Sequence, residues 1–346
     1  MKEQTVMKNN TSRIIIETML RKALKDVKDS PERSTRNLVD MALQFSEGRF
    51  QRNFFSTAQT MLQNEHSSYY GLVKDIAANV DSEKIVHFGM NLGYNSCTAG
   101  AAQIREAEES CGYNIPWCVG MALDSARLTE EPEAYDQVIT QGEKLGIYTW
   151  MLFGKENLLE VLPLVQAHPD DAFILFCEAE NITTAFLDAV SEADHLMLAV
   201  QYAENDIDVY DEMRGRQLLY SAWQSYTDRD VEEIVSGDFF DSVQQIHPVF
   251  TALAPSPDCS KTAKEKVCNY VEAARNGQTF QTVPWELLYD NSRIDSIISN
   301  DPVVAFFDVE GYLYMQAGSE YMDSLNLFKN DLSRILERAF VSRSRL

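Results

Sequence analysis

Three carboxylates, Asp124, Glu178 and Glu180, are the side chains whose type and spacing favour acid–base chemistry in this sequence. Glu178 and Glu180 stand two residues apart in "FILFCEAENIT". On a strand both would face the same way, and their like charges would raise the pKa of one of them. Together with Asp124 from another strand end, they are predicted to act as acid and base or to bind Mg²⁺ through carboxylate oxygens and water. The alternative is that they are ordinary acidic strand ends that face solvent.

A glycine-containing turn within "VHFGMNLGYNSCTAGAAQIRE", residues 86–106, is the predicted ligand-binding segment. We interpret it as a strand, a turn and a helix, which leaves free backbone N–H groups at a helix N-terminus for an anion or cofactor. The predicted cofactor-binding residues are Asn91, Gly93, Asn95 and Ser96. The segment contains neither G-x-G-x-x-G nor a P-loop, so its glycines could equally serve only to permit a tight turn.

Metal ligands are not predicted. The six cysteines include no Cys-x-x-Cys pair, and the five histidines show no spacing such as His-Glu-x-x-His. We therefore expect free thiols, histidines that belong to the core or to strand edges, and no metal site built from cysteine or histidine.

The pattern of apolar residues divides the chain into three parts. Residues 1–82 form a predicted helical N-terminal segment, with helices near 31–46, 49–63 and 68–79. Residues 83–278 form a predicted β/α barrel-like domain. Residues 279–346 form a predicted small C-terminal extension, which contains a hairpin that turns at Glu310-Gly311 and a final amphipathic helix over 323–340 after a turn.

The central part alternates apolar strand-like runs with helices, which is typical of a parallel sheet covered on both faces. A partial or full β/α barrel is favoured over a doubly wound sheet, and periodicity alone does not separate the two. The predicted strands are 84–92, 115–123, 146–154, 172–179, 195–202 and 248–254. In either fold the ligand site lies at the carboxyl ends of the strands. The residues predicted there are Asn91, Tyr94, Asp124, 154–156, Glu178, Glu180, Gln201 and Tyr202.

The formal net charge of −23 argues against nucleic acids and anionic membranes as partners. Between Asp170 and Asp241 the sequence has 18 acidic residues against three arginines and no lysine. This acidic region is interpreted either as a solvated face or as a docking surface for a basic peptide or partner. The sequence contains no apolar run of membrane-spanning length and no signal-peptide pattern, so a cytoplasmic location is expected.

The order of these parts resembles the radical SAM superfamily, in particular its peptide-maturing branch with a C-terminal SPASM-type extension. Residues 115–160, "IPWCVGMALDSARLTEEPEAYDQVITQGEKLGIYTWMLFGKENLLE", look like that family's second strand, its loop and helix, and the third strand. Residues 305–336, "AFFDVEGYLYMQAGSEYMDSLNLFKNDLSRIL", look like its C-terminal close. The resemblance implies a barrel whose first strand ends in a cysteine-rich loop for an iron–sulfur cluster. It also implies that the second strand ends in a glycine-rich loop that contacts S-adenosylmethionine.

The residues that are diagnostic of that family are missing. A Cys-x3-Cys-x2-Cys triad would have to include Cys97, and each register that contains Cys97 lacks the other two cysteines. Three thiolates are needed to leave one iron open for the cofactor, so one cysteine cannot hold this cluster. The second loop, 120–124, keeps a glycine and an acid without the glycine pair, and Met315 and Gln316 stand where relatives place a cluster cysteine.

We therefore predict an α/β protein with a helical N-terminal segment, a partial β/α barrel and a hairpin-plus-helix extension. The favoured function is a cluster-less, radical-SAM-like binding or accessory protein in peptide modification. Its predicted partner is a basic peptide or a sister maturation protein that docks on the acidic region 170–241. No cofactor is predicted: S-adenosylmethionine is a candidate, and an iron–sulfur cluster is not expected.

Two alternatives remain open. The first is a barrel enzyme that uses Asp124, Glu178 and Glu180 in an acid–base or Mg²⁺-assisted reaction. The second is an active radical SAM enzyme with atypical cluster ligands.

Overall fold

The computed structural model describes the backbone of residues 2–44, 46, 48–299, 301–314 and 321–341, and the side chains of these residues other than 2–11, 49 and 50. Eight parallel β-strands in this part of the chain follow the order β7-β6-β5-β4-β3-β2-β1-β8. Because this order has two ends, the sheet does not close, and the predicted α/β class with a partial barrel is confirmed. The strands are β1 (Val119–Ala122), β2 (Thr149–Phe153), β3 (Ala172–Cys177), β4 (Leu196–Gln201), β5 (Tyr220–Tyr226), β6 (Phe250–Pro255), β7 (Val283–Glu286) and β8 (Ala305–Phe307).

Helices occupy most of the remaining described chain. They are α1 (Lys2–Val27), α2 (Pro31–Gln44), α3 (Arg49–Met61), α4 (Ser68–Asn79), α5 (Ser82–Met90), α6 (Ala101–Cys111), α7 (Ser125–Glu130), α8 (Pro132–Leu145), α9 (Val161–Ala167), α10 (Thr184–Val190), α11 (Ile207–Gly215), α12 (Val231–Ser236), α13 (Asp238–Val243), α14 (Lys261–Gly277), α15 (Leu287–Ser299) and α16 (Leu332–Ala339). A π-helix, Asn91–Gly100, continues α5 into α6. The three helices predicted between 31 and 79 are confirmed as α2, α3 and α4.

The chain divides into two compact units, each built from two stretches of sequence. The first unit comprises Met1–Val86 and Ala199–Asp290, and it contains α1–α4 and β5–β7. The second unit comprises His87–Leu198 and Asn291–Leu346, and it contains β1–β3 and β8. The boundary falls inside β4. The predicted domain limits at 82/83 and 278/279 are not tested by this division and stay predictions.

Each unit has its own core. In the first unit, the fully buried rings of Tyr226 and Phe240 lie on β5 and α13, and Phe240 stacks on Phe280 with ring centroids 5.2 Å apart. In the second unit, Trp150 on β2 and Phe173 on β3 are completely buried. Nearly every residue of β2 and β3 is buried, as expected for parallel strands covered by helices on both faces.

Five of the six strands predicted before residue 279 are found, as β1, β2, β3, β4 and β6. Two strands were not predicted. The sequence of β5, "YSAWQSY", carries five side chains with a hydroxyl or amide group, so it lacks the continuous apolar run by which the other strands were predicted. The sequence of β7, "VPWE", has four residues and includes a proline, which makes it a weak strand signal.

The strand predicted at 84–92 is wrong, because these residues lie in α5 and in the first turn of the π-helix. The alternating apolar residues of "KIVHFGMNL" suggested a strand. In the structure Lys84, Val86, Phe88 and Met90 are all buried although the segment is helical. A helix that is covered on several sides has no single apolar stripe, and a short apolar run then cannot be told from a strand.

The C-terminal hairpin is found where the sequence predicts it. β8 leads into a turn in which Asp308 N donates to Tyr312 O, and Gly311 has φ of +84°, which favours glycine. Leu313 then returns to form an antiparallel bridge with Phe307. The predicted final helix is shorter than expected, since α16 begins only at Leu332. Met315 and Gln316 lie outside the described residues.

Among the described residues, none of the helices combines the length and the apolar composition that a membrane span needs.

Gly100 allows the π-helix to pack against the loop between α8 and β2. A Cβ at this position would lie 2.8 Å from Asn95 O and 2.9 Å from Tyr148 Cδ2, and would also collide with Gly146 O. We expect Gly100→Ala to lower the free energy of unfolding by about 1–3 kcal/mol, because backbone atoms would have to move. Urea denaturation measures this change.

Gly93 in the same π-helix provides the matched control. An ideal Cβ at Gly93 meets no atom within 4 Å. Gly93→Ala should therefore stabilise the protein by about 0.5–1 kcal/mol, as expected for alanine in a helix interior. Equal effects of the two substitutions would contradict the packing described for Gly100.

Candidate functional site

Asn91 and Asn95, two of the predicted cofactor-binding residues, hydrogen-bond the backbone that leads into β3. Asn91 Nδ2 donates to Pro169 O at 2.9 Å and to Asp171 O at 2.7 Å. Asn95 Nδ2 donates to Asp170 O at 2.8 Å and to Asn91 Oδ1 at 3.0 Å. Both side chains are buried. Their amides therefore bind three successive main-chain carbonyls of the loop before β3, one of which, Pro169 O, also lies 2.9 Å from His87 Nε2.

The other two predicted cofactor-binding residues lie on the same helical segment. Ser96 is buried, and its Oγ accepts a hydrogen bond of 2.9 Å from Thr149 Oγ1. Gly93 is exposed. Because α5, the π-helix and α6 are continuous, this segment offers no free helix N-terminus, and the turn that motivated the prediction does not form. A role of these four residues in cofactor binding stays a prediction.

Cys97 also lies on the π-helix, with its side chain directed toward the interior. Burial raises the pKa of its thiol to about 12. The buried Cys118 thiol lies close enough to interact with Cys97. Burial, and then Asp295 and Cys97, raise the pKa of Cys118 well above its ordinary value. Both sulfurs are therefore protonated at neutral pH, whereas a metal ligand or a nucleophile has to be a thiolate.

Asp124 and the two glutamates lie at the carboxyl edge of β1 and β3. Asp124 caps α7, where its Oδ1 accepts from Arg127 N at 3.0 Å. Glu178 is half-buried directly after β3, and Glu180 is exposed in the 3₁₀-helix Ala179–Asn181. The expectation that both glutamates face one side of a strand is wrong, because the strand ends at Cys177.

These three acids share an edge of the sheet but not a contact. β1 and β3 are separated by β2, which places the two strand ends roughly 10 Å apart. Among the described residues, no hydrogen bond or ion pair joins Asp124 to either glutamate. Their joint use in catalysis therefore stays a prediction.

The sequence analysis missed a compact cluster at the opposite, amino-terminal edge of the same strands. The cluster consists of Glu143, His168 and Asp171. Each of these residues offers one possible metal-ligand atom, and the three atoms lie within 4.8 Å of one another. Glu143 is near the end of α8, and the other two residues belong to the loop before β3 that Asn91 and Asn95 hold. His168 Nδ1 lies 2.9 Å from Glu143 Oε1, and its Nε2 lies 3.2 Å from Asp136 Oδ1.

Asp171 is completely buried in this cluster. Its Oδ2 accepts a hydrogen bond of 2.7 Å from Trp150 Nε1, while its Oδ1 has no hydrogen-bond partner among the described residues. Burial, and then the charge of Glu143, raise the pKa of Asp171 to about 8. The sequence carried one signal for this cluster, the polar run "HPDD" immediately before the apolar strand "AFILFC". No motif spacing connects that run to Glu143.

A second group of acids lies at the carboxyl edge of β4 and β5 in the first unit. Tyr202 follows β4 directly and is half-buried. Burial is the largest cause that raises the pKa of its phenol, and the charges of Glu204 and Glu233 raise this pKa further. Both glutamates are exposed. An aromatic ring with two exposed carboxylates near it is a suitable environment for a lysine or arginine side chain.

In the described part of the chain, no ion pair joins Arg214, Arg216 or Arg229 to these two glutamates. Arg214 donates to the two carboxylate oxygens of Asp75, at 2.9 and 2.6 Å, and Asp75 lies outside the acidic region. Arg216 pairs with Glu212 at 3.0 Å on the same helix. The surface of this region therefore remains strongly negative.

A concave pocket of about 480 Å³ lies in the first unit, away from the predicted site residues. Its lining is polar and comes from α3, the segment after it and the end of α14. The lining residues are Ser56, Thr57, Thr60, Met61, Asn64, Asn276, Gly277 and Gln278.

Comparison with known proteins finds no matching family model and no matching curated protein. Three solved structures of SuiB from Streptococcus suis are similar, each with 10% sequence identity. The structure bound to precursor peptide SuiA has a TM-score of 0.47 over 69% of this chain and 68% of that chain. The structure bound to S-adenosylmethionine has a TM-score of 0.49 over 70% and 69%. The third structure of SuiB has a TM-score of 0.48 and covers 84% of this chain and 83% of that chain. Values of this size assign neither a family nor an activity to the chain.

Replacing Asn91 tests whether its side chain is structural. Asn91→Ala would leave the carbonyls of Pro169 and Asp171 without this donor inside the protein, so we expect the free energy of unfolding to fall by about 2–4 kcal/mol. Urea denaturation measures the loss. Asn205→Ala, at an exposed position, is the control and should change stability by less than about 0.5 kcal/mol. Equal midpoints for the two variants would contradict the structural role of Asn91.

Proposed function

We propose that this chain is a cluster-less binding or accessory protein, and that its partner is a basic peptide. The process we propose for it is peptide modification, in which it would present or hold a peptide for a sister maturation protein. S-adenosylmethionine remains a candidate ligand on the resemblance of the sequence alone.

The observation that carries the cluster-less part of the proposal is the helical fold of residues 82–111. A radical SAM cluster needs three thiolates on one flexible loop, so that three irons are held and the fourth stays open. Here the segment is helical throughout, Cys97 is the one cysteine before Cys111, and burial keeps its thiol protonated. The residues present therefore do not fit such a cluster, and no radical step is assigned to the chain.

The peptide part of the proposal rests on the charges at the carboxyl edge of β4 and β5. Glu204 and Glu233 lie close enough to Tyr202 to raise the pKa of its phenol, and helices α11, α12 and α13 add further exposed acids. A group of carboxylates at a strand edge attracts a basic segment and raises the rate at which it associates. Tyr202 adds a ring face for a guanidinium or an ammonium group.

Iron and acid-labile sulfide analysis tests the first part. The chain is purified and reconstituted without oxygen, next to a radical SAM enzyme treated in the same way. We expect no stoichiometric sulfide and no visible absorption of a cluster in this chain. Sulfide is the decisive quantity, because iron alone could bind to carboxylates and histidines. Stoichiometric iron and sulfide would refute the proposal and favour the alternative of an active enzyme with atypical ligands.

Binding of a short fluorescent peptide of arginine, glycine and serine tests the second part, with fluorescence anisotropy as the readout. The double variant Glu204→Gln with Glu233→Gln should bind it about two- to thirtyfold more weakly, since each exposed ion pair contributes about 0.2–1 kcal/mol. Added salt should reduce the difference by screening.

Two controls make this measurement specific. The peptide with citrulline in place of arginine keeps the shape and loses the charge, and it should bind poorly to the unmodified chain. The double variant Asp29→Asn with Glu65→Gln removes two exposed charges elsewhere in the first unit and should bind like the unmodified chain. An equal loss in both double variants would show only a general effect of net charge and would refute docking at Tyr202.

A further inference from the structure

We propose that Glu143, His168 and Asp171 form a binding site for a divalent cation of the Zn²⁺ class in the second unit. The site is independent of the proposed peptide binding, since all three residues belong to His87–Leu198 and lie at the amino-terminal edge of the strands. The bound ion would join the end of α8 to the loop before β3.

The donor set fits such an ion. An imidazole nitrogen with two carboxylate oxygens is a ligand combination that Zn²⁺ accepts, at bond lengths of roughly 2.0–2.2 Å. In a tetrahedral site two ligand atoms are then separated by roughly 3.4 Å. The three ligand atoms here lie within 4.8 Å of one another, so side-chain rotations have to bring them closer together by about 1 Å to reach bonding distance.

Asp171 provides the independent observation that points to a ligand. Its side chain has 0% exposure, and its Oδ1 lacks a hydrogen-bond donor among the described residues. A buried acceptor that is left without a partner is costly. A cation in the cluster would satisfy this oxygen, while the hydrogen bond from Trp150 Nε1 to Oδ2 would orient the carboxylate, as outer partners of metal ligands do.

The charges of the cluster also favour a cation. Asp136, Glu143 and Asp171 surround a single histidine, and within the described chain none of these acids pairs with a lysine or arginine. His168 Nε2 lies 3.2 Å from Asp136 Oδ1 and is nevertheless left without a hydrogen bond.

The loop that carries two of the ligands is already fixed. Asn91 and Asn95 bind the carbonyls of residues 169–171 from the π-helix, so His168 and Asp171 are positioned before any ion arrives. A ligand set that is positioned in advance binds its ion with less loss of conformational entropy.

Zn²⁺ titration of the full chain by calorimetry, after removal of metals with a chelator, tests the site. We expect one Zn²⁺ ion per chain and a rise in melting temperature when it is bound. Glu143→Gln is the informative variant: Glu143 is only half-buried, with 29% exposure, and glutamine keeps the hydrogen bond to His168. It should weaken Zn²⁺ binding about tenfold or more, since even outer partners of metal ligands contribute that much. Glu133→Gln, an exposed position on the same helix α8, is the matched control and should bind as before.

Cobalt substitution distinguishes this site from the six free cysteines. Co²⁺ bound to nitrogen and oxygen ligands shows visible d–d bands without the near-ultraviolet charge-transfer band that thiolates produce. For this chain we expect the d–d bands without the charge-transfer band. The d–d bands should disappear in Asp171→Asn, while the circular-dichroism spectrum of that variant stays like that of the unmodified chain. Absence of Zn²⁺ binding, equal affinity in Glu143→Gln, or a thiolate charge-transfer band would each refute the site.

Discussion

The two asparagines of the π-helix provide the contact on which the amino-terminal edge of the second unit depends. In the loop that enters β3, three successive carbonyls, of residues 169–171, accept hydrogen bonds from the side-chain amides of Asn91 and Asn95, which ties this loop to the helix. This explains why two polar residues are buried in the middle of an apolar helix. The two amides are four positions apart on the π-helix and reach neighbouring carbonyls of one loop.

The close approach of Gly100 and Gly146 follows from the same arrangement. For the asparagine amides to reach the loop before β3, the helix has to lie almost in contact with the turn between α8 and β2. Gly146 has φ of +98° and ends α8, so it serves both as the helix C-cap and as the surface on which Gly100 packs. The position of Glu143, three residues earlier on α8, is fixed by this contact, and so is its distance from His168.

The sequence predicted the strands of the sheet better than it predicted the residues of the candidate sites. Apolar runs such as "AFILFC" and "HLMLAVQY" identified β3 and β4 because buried parallel strands are apolar on both faces. The same rule failed for "KIVHFGMNL", where a helix buried on several sides gives the pattern of a strand. The glycines of 86–106 were predicted to form a turn, which is absent; Gly100 instead packs against Gly146, 46 residues later in the sequence, a contact that no local pattern can show.

Site residues were harder to predict because the chemistry at each edge is assembled from distant segments. Glu178 and Glu180 attracted attention as neighbours in sequence, and they separate once the strand ends at Cys177. Glu143 and Asp171 are 28 positions apart in the sequence and become neighbours only when α8 packs beside the entry to β3. In a parallel sheet each crossover helix ends near the amino end of the next strand, so acids at helix ends and at strand starts are brought together repeatedly. Where such acids are buried without a basic partner, as Asp171 is, the fold is left with negative charge that a proton or a metal ion must balance.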